Sequence, residues 1–300
     1  MSAEVRHLRE ANANRRSDPR LRLSQCAACF LFISCGTPTW GKVVGAVDER
    51  RLPEATFMSS AERHRFSSIG RIECRNGKFE NGKPLYNIGT AFHVGSRSVM
   101  ATAAHTFFYD SGARMPASAC QVSYYGPTGG LVETIPVLSV KSRWDEPGLN
   151  GDFSNDVALI KLSRPSTSAL EAAGVEDSEK LTNITSITCV GFALDLPSDT
   201  TLFRVHGIAI RPPNKAQLLE YSRSLRLPFK NPENVAVTNC DANHGTSGAP
   251  IYNDSNKIIG LHEGFFGSEN EEFDMYASYN RIFVFDRRFM NDAGKLIDER

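Results

Sequence analysis

From Ile69 onward the chain is a series of short apolar or alternating runs separated by turn residues, and nothing else in it constrains the fold as strongly. IGRIEC, PLYNIGTAFHV, SVMATAAHTFF, CQVSYY, TIPVLSV and DVALIKL succeed one another, with turns expected at Asn76-Gly77 and Asn81-Gly82. Asn-Gly is the strongest short hairpin signal, because the favoured two-residue turns need positive φ. Ser163-Arg164-Pro165-Ser166-Thr167 reads as a linker, and a helix-like patch follows at residues 169–173. A second set then runs ITCVGF, TLFRVHGIAI, NVAVTNCD, GAPIYN, KIIGLHEG and MYASYNRIFVF, before a closing helix over residues 287–297. Six strands of this length suit a small closed barrel that buries the inward half of each strand. The expectation is an all-β protein: two six-stranded antiparallel β-barrels with a C-terminal helix.

The rest of the composition narrows the class. With 300 residues and 41% hydrophobic content, the chain can fill one large core or two modest ones. Its formal net charge of zero gives no reason to expect a nucleic-acid partner or a polyacidic substrate. No apolar run approaches the roughly eighteen residues that a membrane-spanning helix needs. Residues 1–22 are rich in arginine, and CAACFLFI follows at residues 26–33, the layout of a secretory signal peptide with an extended basic region. We therefore expect a leader over residues 1–36 and a secreted or periplasmic protein. A lipid anchor at Cys35 is the weaker reading, since Phe32 stands three residues before it. Residues 37–66 are polar and patternless, as in a pro-segment or linker. The first barrel is then assigned to residues 67–165 and the second to 166–300.

Three segments carry chemistry. CDANHGTSGAP, residues 240–250, sets Ser247 between glycines, whose freedom lets the backbone bend so that two amides point at one spot. A serine hydroxyl needs a base to take its proton, and the base needs an acid to hold it. His105 closes the strand-like VMATAAH, where small residues let an imidazole sit at a strand end, and Asp156 directly precedes the apolar VALIKL. Taken singly, each is compatible with an ordinary strand-end histidine or turn acid. Their order along the chain, His105, Asp156, Ser247, separates this arrangement from the subtilisin and α/β-hydrolase orders of the same three residues.

TAAH, NDVALIKL and GTSGAP resemble the three signature segments of the trypsin-like serine proteases, and the likeness covers roughly residues 69–297. SSIGRIEC, VGFALDLPSD, the Cys240-Asp241 approach to the serine, and IIGLHEG are similar to the bacterial glutamyl endopeptidase branch. Two residues depart from that branch: Ala242 stands where threonine is usual, and Phe265 where a second glycine is common. The resemblance implies the chymotrypsin-like fold, a His105-Asp156-Ser247 triad, and an oxyanion hole from the amides of Gly245 and Ser247. It implies an enzyme without a cofactor or metal, acting as a monomer on a protein or peptide substrate. In many such enzymes a freed α-amino group orders the site, and here that would put a cut near Arg65, Phe66 or Ser67.

Substrate preference stays open at this point. Asp241 lies at the offset of the acid that favours Arg or Lys in trypsins, whereas His262 lies where glutamyl-specific relatives place a histidine against an acidic side chain. His244, three residues before the serine, is a further donor candidate at the pocket mouth. The resemblance favours Glu or Asp, with Arg or Lys as the alternative. A protease-derived binding module is the rival from another class, and the intact triad and oxyanion positions argue against it.

Outside the leader four cysteines remain, Cys74, Cys120, Cys189 and Cys240, which allow three pairings. One bridge per barrel is expected, Cys74 with Cys120 and Cys189 with Cys240, because bridges between barrels would cross the cleft. None of these four lies two to four residues from another, and no histidine pair accompanies them, so no zinc site is expected.

Overall fold

A computed structural model describes residues 59–109, 111–169, 174–176, 184–196, 199–211, 230–266 and 279–299. The chain divides into two units, Met1–Thr37 and Pro38–Arg300. The expected leader, Cys35 with it, and the pro-segment up to residue 58 lie outside the described residues, as does most of the helix-like patch at residues 169–173.

The described chain forms the two expected barrels. A short helix, α1 (Ser60–Phe66), leads into β1 (Ile69–Glu80), β2 (Lys83–His93), β3 (Val99–Thr102), β4 (Cys120–Tyr125), β5 (Leu131–Ser142) and β6 (Ala158–Leu162). These close antiparallel in the order β1-β2-β3-β6-β5-β4. The second barrel comprises β7 (Ile184–Gly191), β8 (Phe203–Ile210), β9 (Val235–Thr238), β10 (Pro250–Asn253), β11 (Ile258–Phe266) and β12 (Tyr279–Val284), in the order β10-β11-β12-β9-β8-β7. Helix α2 (Arg287–Asp298) follows. Among the described residues no helix is long and apolar enough to cross a membrane.

The two Asn-Gly pairs behave differently. Asn81 and Gly82 take φ of 51° and 77°, and Glu80 faces Lys83 across a two-residue hairpin turn. Gly77 also has positive φ, but it sits inside β1 where the pairing register shifts between Arg75 and Phe79. The dipeptide chemistry is the same, and at residues 76–77 it makes an irregularity rather than a turn, because β1 carries on past it.

One apolar cluster spans both barrels: Ile69, Phe92, Val99 and Leu159 from the first pack with Val190, Tyr252, Leu261 and Phe283 from the second. Helix α2 covers it with Phe289, Ala293 and Leu296, one face at helical spacing. Asp286 caps that helix, accepting from Phe289 N at 2.7 Å, and takes two bonds from the Arg143 guanidinium at 2.5 and 2.8 Å. The closing helix is thus tied to the first barrel by a bidentate ion pair as well as by packing.

The Ser163–Thr167 linker is organised by one carboxylate. Glu133 on β5 accepts from Ser166 Oγ at 2.8 Å, Thr167 Oγ1 at 3.1 Å, Thr167 N and Ser168 N at 3.1 Å, and the Arg164 guanidinium. Burial alone would raise its pKa, but the donors from Arg164, Ser166 and Ser168 outweigh it and bring the group down to about 2.

Of the two expected disulfides the structure carries one. Cys74 and Cys120 face each other across β1 and β4 with Cα atoms 4.1 Å apart, and they are bonded. Cys189 and Cys240 are not bridged; both are buried as thiols in the second core. Cys189 sits on β7 and Cys240 follows β9, with β8 between those strands, and the Cys240 sulfur packs over Gly207 of β8. Neighbouring strands are about 4.8 Å apart, so two steps in the sheet exceed the Cα separation of under about 7 Å that a bridge needs.

Two stability predictions follow from these contacts. Replacing both Cys74 and Cys120 by serine lowers unfolding free energy by about 2 to 4 kcal/mol, read from denaturant midpoints at unchanged m. Glu133→Gln turns an acceptor-only group into one with an amide donor facing Thr167 N and Ser168 N, costing about 1 to 3 kcal/mol near neutral pH. Because the folded pKa lies below the ordinary 4.5, this contribution is complete above that value and drains as pH falls towards about 2. Wild type and Glu133→Gln should therefore converge in stability between pH 4.5 and 2, and a constant gap would contradict the assignment.

Candidate active site

Three segments meet where the barrels join. The first is the single 3-10 turn Ala104–Phe107, entered from β3 through the fully buried Ala103 and Ala104. Side chains this small let the turn pack into the first core while His105 stays 7% exposed. The second is the turn Phe153–Asn155, which ends on Asp156. Asp152 caps it: one carboxylate oxygen accepts from Ser154 N at 3.0 Å and Ser154 Oγ at 2.6 Å, the other from Asn155 Nδ2 at 3.1 Å. Trp144 Nε1 donates to Asp152 O at 2.9 Å, and its ring packs edge-on against Phe153 and lies 6.4 Å from the His105 ring.

These two turns place His105 against Asp156. Asp156 has no exposed surface, and each of its oxygens receives a bond from the same residue: His105 Nδ1 to Oδ2 at 2.6 Å and His105 N to Oδ1 at 2.9 Å. A ring nitrogen donating to a carboxylate fixes the tautomer, with the proton of the neutral imidazole on Nδ1.

The third segment is the turn over residues 243–248, leading into β10. Thr246 N donates to Asn243 O at 3.0 Å and Asn243 N to Thr246 Oγ1 at 3.1 Å, so the turn closes on itself through backbone and side chain. Gly245 and Gly248 take φ of +93° and +85°. At Gly248 glycine is also required by space, since a Cβ would stand 2.2 Å from Thr90 O and 2.3 Å from Thr102 Oγ1. That close approach seats Ser247 against the first barrel, and its carbonyl accepts from Thr90 N at 2.8 Å. Ser247 Oγ is buried and has no hydrogen-bond partner. Among the described residues the amides of Gly245 and Ser247 donate to no protein group. Nucleophile-to-base bonds are often long before substrate binds, so the unengaged hydroxyl is compatible with catalysis.

The remaining candidates divide. His262 lies beside the serine turn: Gly248 N donates to His262 O at 2.8 Å and His262 N to Ala249 O at 2.9 Å. Its ring is wholly buried beside the Asn280 side chain, and neither nitrogen makes a hydrogen bond of normal geometry. Burial lowers its pKa to about 3, so the ring is neutral at ordinary pH. Asp241 is also buried, at 1% exposure, whereas His244 is exposed at the rim.

Two residues beside the triad carry no sequence signal. The register of β11 against β12 slips between His262 and Gly264, which makes Glu263 the extra residue of a bulge and buries it together with His262. Its carboxyl makes no hydrogen bond, and Arg281 Nε lies 3.8 Å away with its guanidinium 4.5 Å over the Phe153 ring. Burial raises the Glu263 pKa well above the carboxylate range; Arg281 opposes this, and Asp156 and Asp152 add to it. A bulge is set by pairing between distant strands, so no local pattern announces it.

Known proteins share this fold. The solved structure of a Glu endopeptidase is similar at TM-score 0.57 and 15% identity, covering 86% of this chain and all of that one. The protease Anisep from Arthrobacter nicotinovorans gives TM-score 0.54 at 15% identity, over 77% of this chain and 95% of that one. An inactivated protease paralogue of the scabies mite gives 0.58 at 14%, over 79% and 98%. At these identities the likeness is one of fold. No curated protein matches the sequence. Residues 89–261 match the trypsin-like peptidase domain, a span that runs from β2 through His105, Asp156 and Ser247 into β11. On that match the chain belongs to the trypsin-like peptidase family, the serine endopeptidases.

Proposed function

We propose that this endopeptidase cleaves through a His105-Asp156-Ser247 triad, with preference for Glu or Asp at the cleaved position. The observation that carries the reading is the pair of hydrogen bonds from one histidine to one acid, ring Nδ1 to Asp156 at 2.6 Å and backbone N at 2.9 Å, beside a buried serine hydroxyl that nothing else engages. His105 Nε2 takes the Ser247 proton as Oγ attacks the scissile carbonyl, and returns it to the leaving amine. Asp156 holds the tautomer and stabilises the imidazolium. The oxyanion is received by the amides of Gly245 and Ser247, each worth roughly 2.7 to 4 kcal/mol in the barrier. Since an inactivated paralogue shares the fold, the residues and not the barrels support activity.

Preference rests on His262. A fully buried ring that has only the Asn280 side chain as a polar neighbour and makes no hydrogen bond of normal geometry has capacity to spare, and an acidic substrate side chain would use it. Asp241 supports the alternative, Arg or Lys, by offset alone. The chain is further read as exported, from its basic, apolar N-terminus and its bonded cysteines, and as monomeric on the family resemblance alone. Cleavage near Arg65 to Ser67 would act on a packed segment: Phe66 is 4% exposed, and Arg65 lies over the Tyr252 ring.

Peptide-library profiling by mass spectrometry tests the reading, with Ser247→Ala as the blank. Cuts after Glu or Asp that vanish in the variant are expected; cuts after Arg or Lys move the pocket to Asp241, and serine-independent or absent cutting by folded enzyme ends the triad assignment.

The neutrality of His262 yields a second test. A carboxylate buried against an uncharged ring is expensive, so binding Glu draws in about one proton. The kcat/KM ratio of a Glu substrate over its Gln isostere should then fall with rising pH, by up to about tenfold per unit. A ratio that is flat with pH would remove His262 from the pocket.

A further inference from the structure

We propose that the Thr90 side-chain hydroxyl is a positioning group for the oxyanion turn, holding from the first barrel the Gly245 carbonyl, on the peptide that directly follows the Gly245 amide. The inference rests on the roles given above to Ser247 and Gly245. Thr90, on β2, has no exposed surface. Its hydroxyl donates to Gly245 O at 2.8 Å and accepts from Phe192 N at 3.1 Å, so both capacities are used across the seam. Its own backbone N donates to Ser247 O at 2.8 Å, and its carbonyl accepts from Thr102 Oγ1 at 2.7 Å. The two carbonyls that follow the two oxyanion amides, at Gly245 and at Ser247, therefore hang on a single residue.

Gly245 needs such an anchor. At φ of +93° a glycine has little steric preference, and a turn of its peptide would swing the amide away from the oxyanion. The plane before Gly245 is held on one side by Leu194 N, which donates to His244 O at 2.8 Å. The plane after it is held by the Thr90 hydroxyl, which also fixes Phe192, two residues before Leu194. Both anchors thus lie on one short segment, and the hydroxyl ties that segment to β2. Only threonine or serine can donate and accept at this point from a position so close to the chain.

Thr90→Val keeps the shape and removes the hydroxyl; Thr90→Ala is the smaller form should the valine pack poorly, and Thr90→Ser is the rescue. For each, kcat and KM are measured on the best library peptide per titrated active site. A peptide boronic acid of that sequence, which imitates the tetrahedral oxyanion, is compared in affinity with the cleaved product peptide. We expect kcat to fall at least tenfold in the hydroxyl-free variants with KM within about twofold. Boronate affinity should fall at least tenfold while product affinity stays within about twofold, and the serine variant should recover most of both. Equal changes in boronate and product affinity, or kcat within twofold of wild type, would overturn the proposal and leave Thr90 a packing residue. A wild-type enzyme without Ser247-dependent turnover would sink the underlying reading instead, so the two failures are told apart.

Discussion

The backbone bond from Thr90 to Ser247 joins the barrels at the point where their residues must cooperate. His105 and Asp156 belong to one barrel and Ser247 to the other, so their mutual geometry is only as rigid as the seam. Three kinds of contact supply that rigidity. The shared apolar cluster makes the barrels one packed body, and closely packed interiors do not slide without cost. The Arg143–Asp286 pair and helix α2 clamp one side, and Glu133 gathers the linker on another. Against this frame the glycine turn can approach β2 to within a distance that no side chain at residue 248 would permit.

What could be read in the sequence was what is local or periodic. The strand cadence, the Ala-Ala-His entry, the acid before VALIKL and the glycine turn are short patterns with direct physical meaning, and each appears where expected. What could not be read depends on which strands become neighbours. Cys74 and Cys120 face each other because β1 and β4 close the first barrel, whereas β8 stands between the strands of Cys189 and Cys240. Gly77 resembles Gly82 in sequence, yet only Gly82 turns the chain. Glu263 is buried by a slip in pairing between β11 and β12, and the Thr90 hydroxyl acquires its partners from residues more than a hundred positions away.

Glu263 completes the electrostatic argument for the site. An ionised carboxylate there, with no hydrogen bond and with Asp156 and Asp152 nearby, would be desolvated and repelled together. Its counter-charge among the described residues, Arg281, stands at 3.8 Å, beyond hydrogen-bonding distance, and leans on the Phe153 ring. Protonation removes both costs. Asp156 then meets His105 with no second anion behind it. Under the proposed preference a neutral Glu263 also suits the neighbouring His262, because a fixed anion one residue away would oppose the entry of an acidic side chain. The bulge that buries these two residues together therefore disfavours charge on both through the same burial.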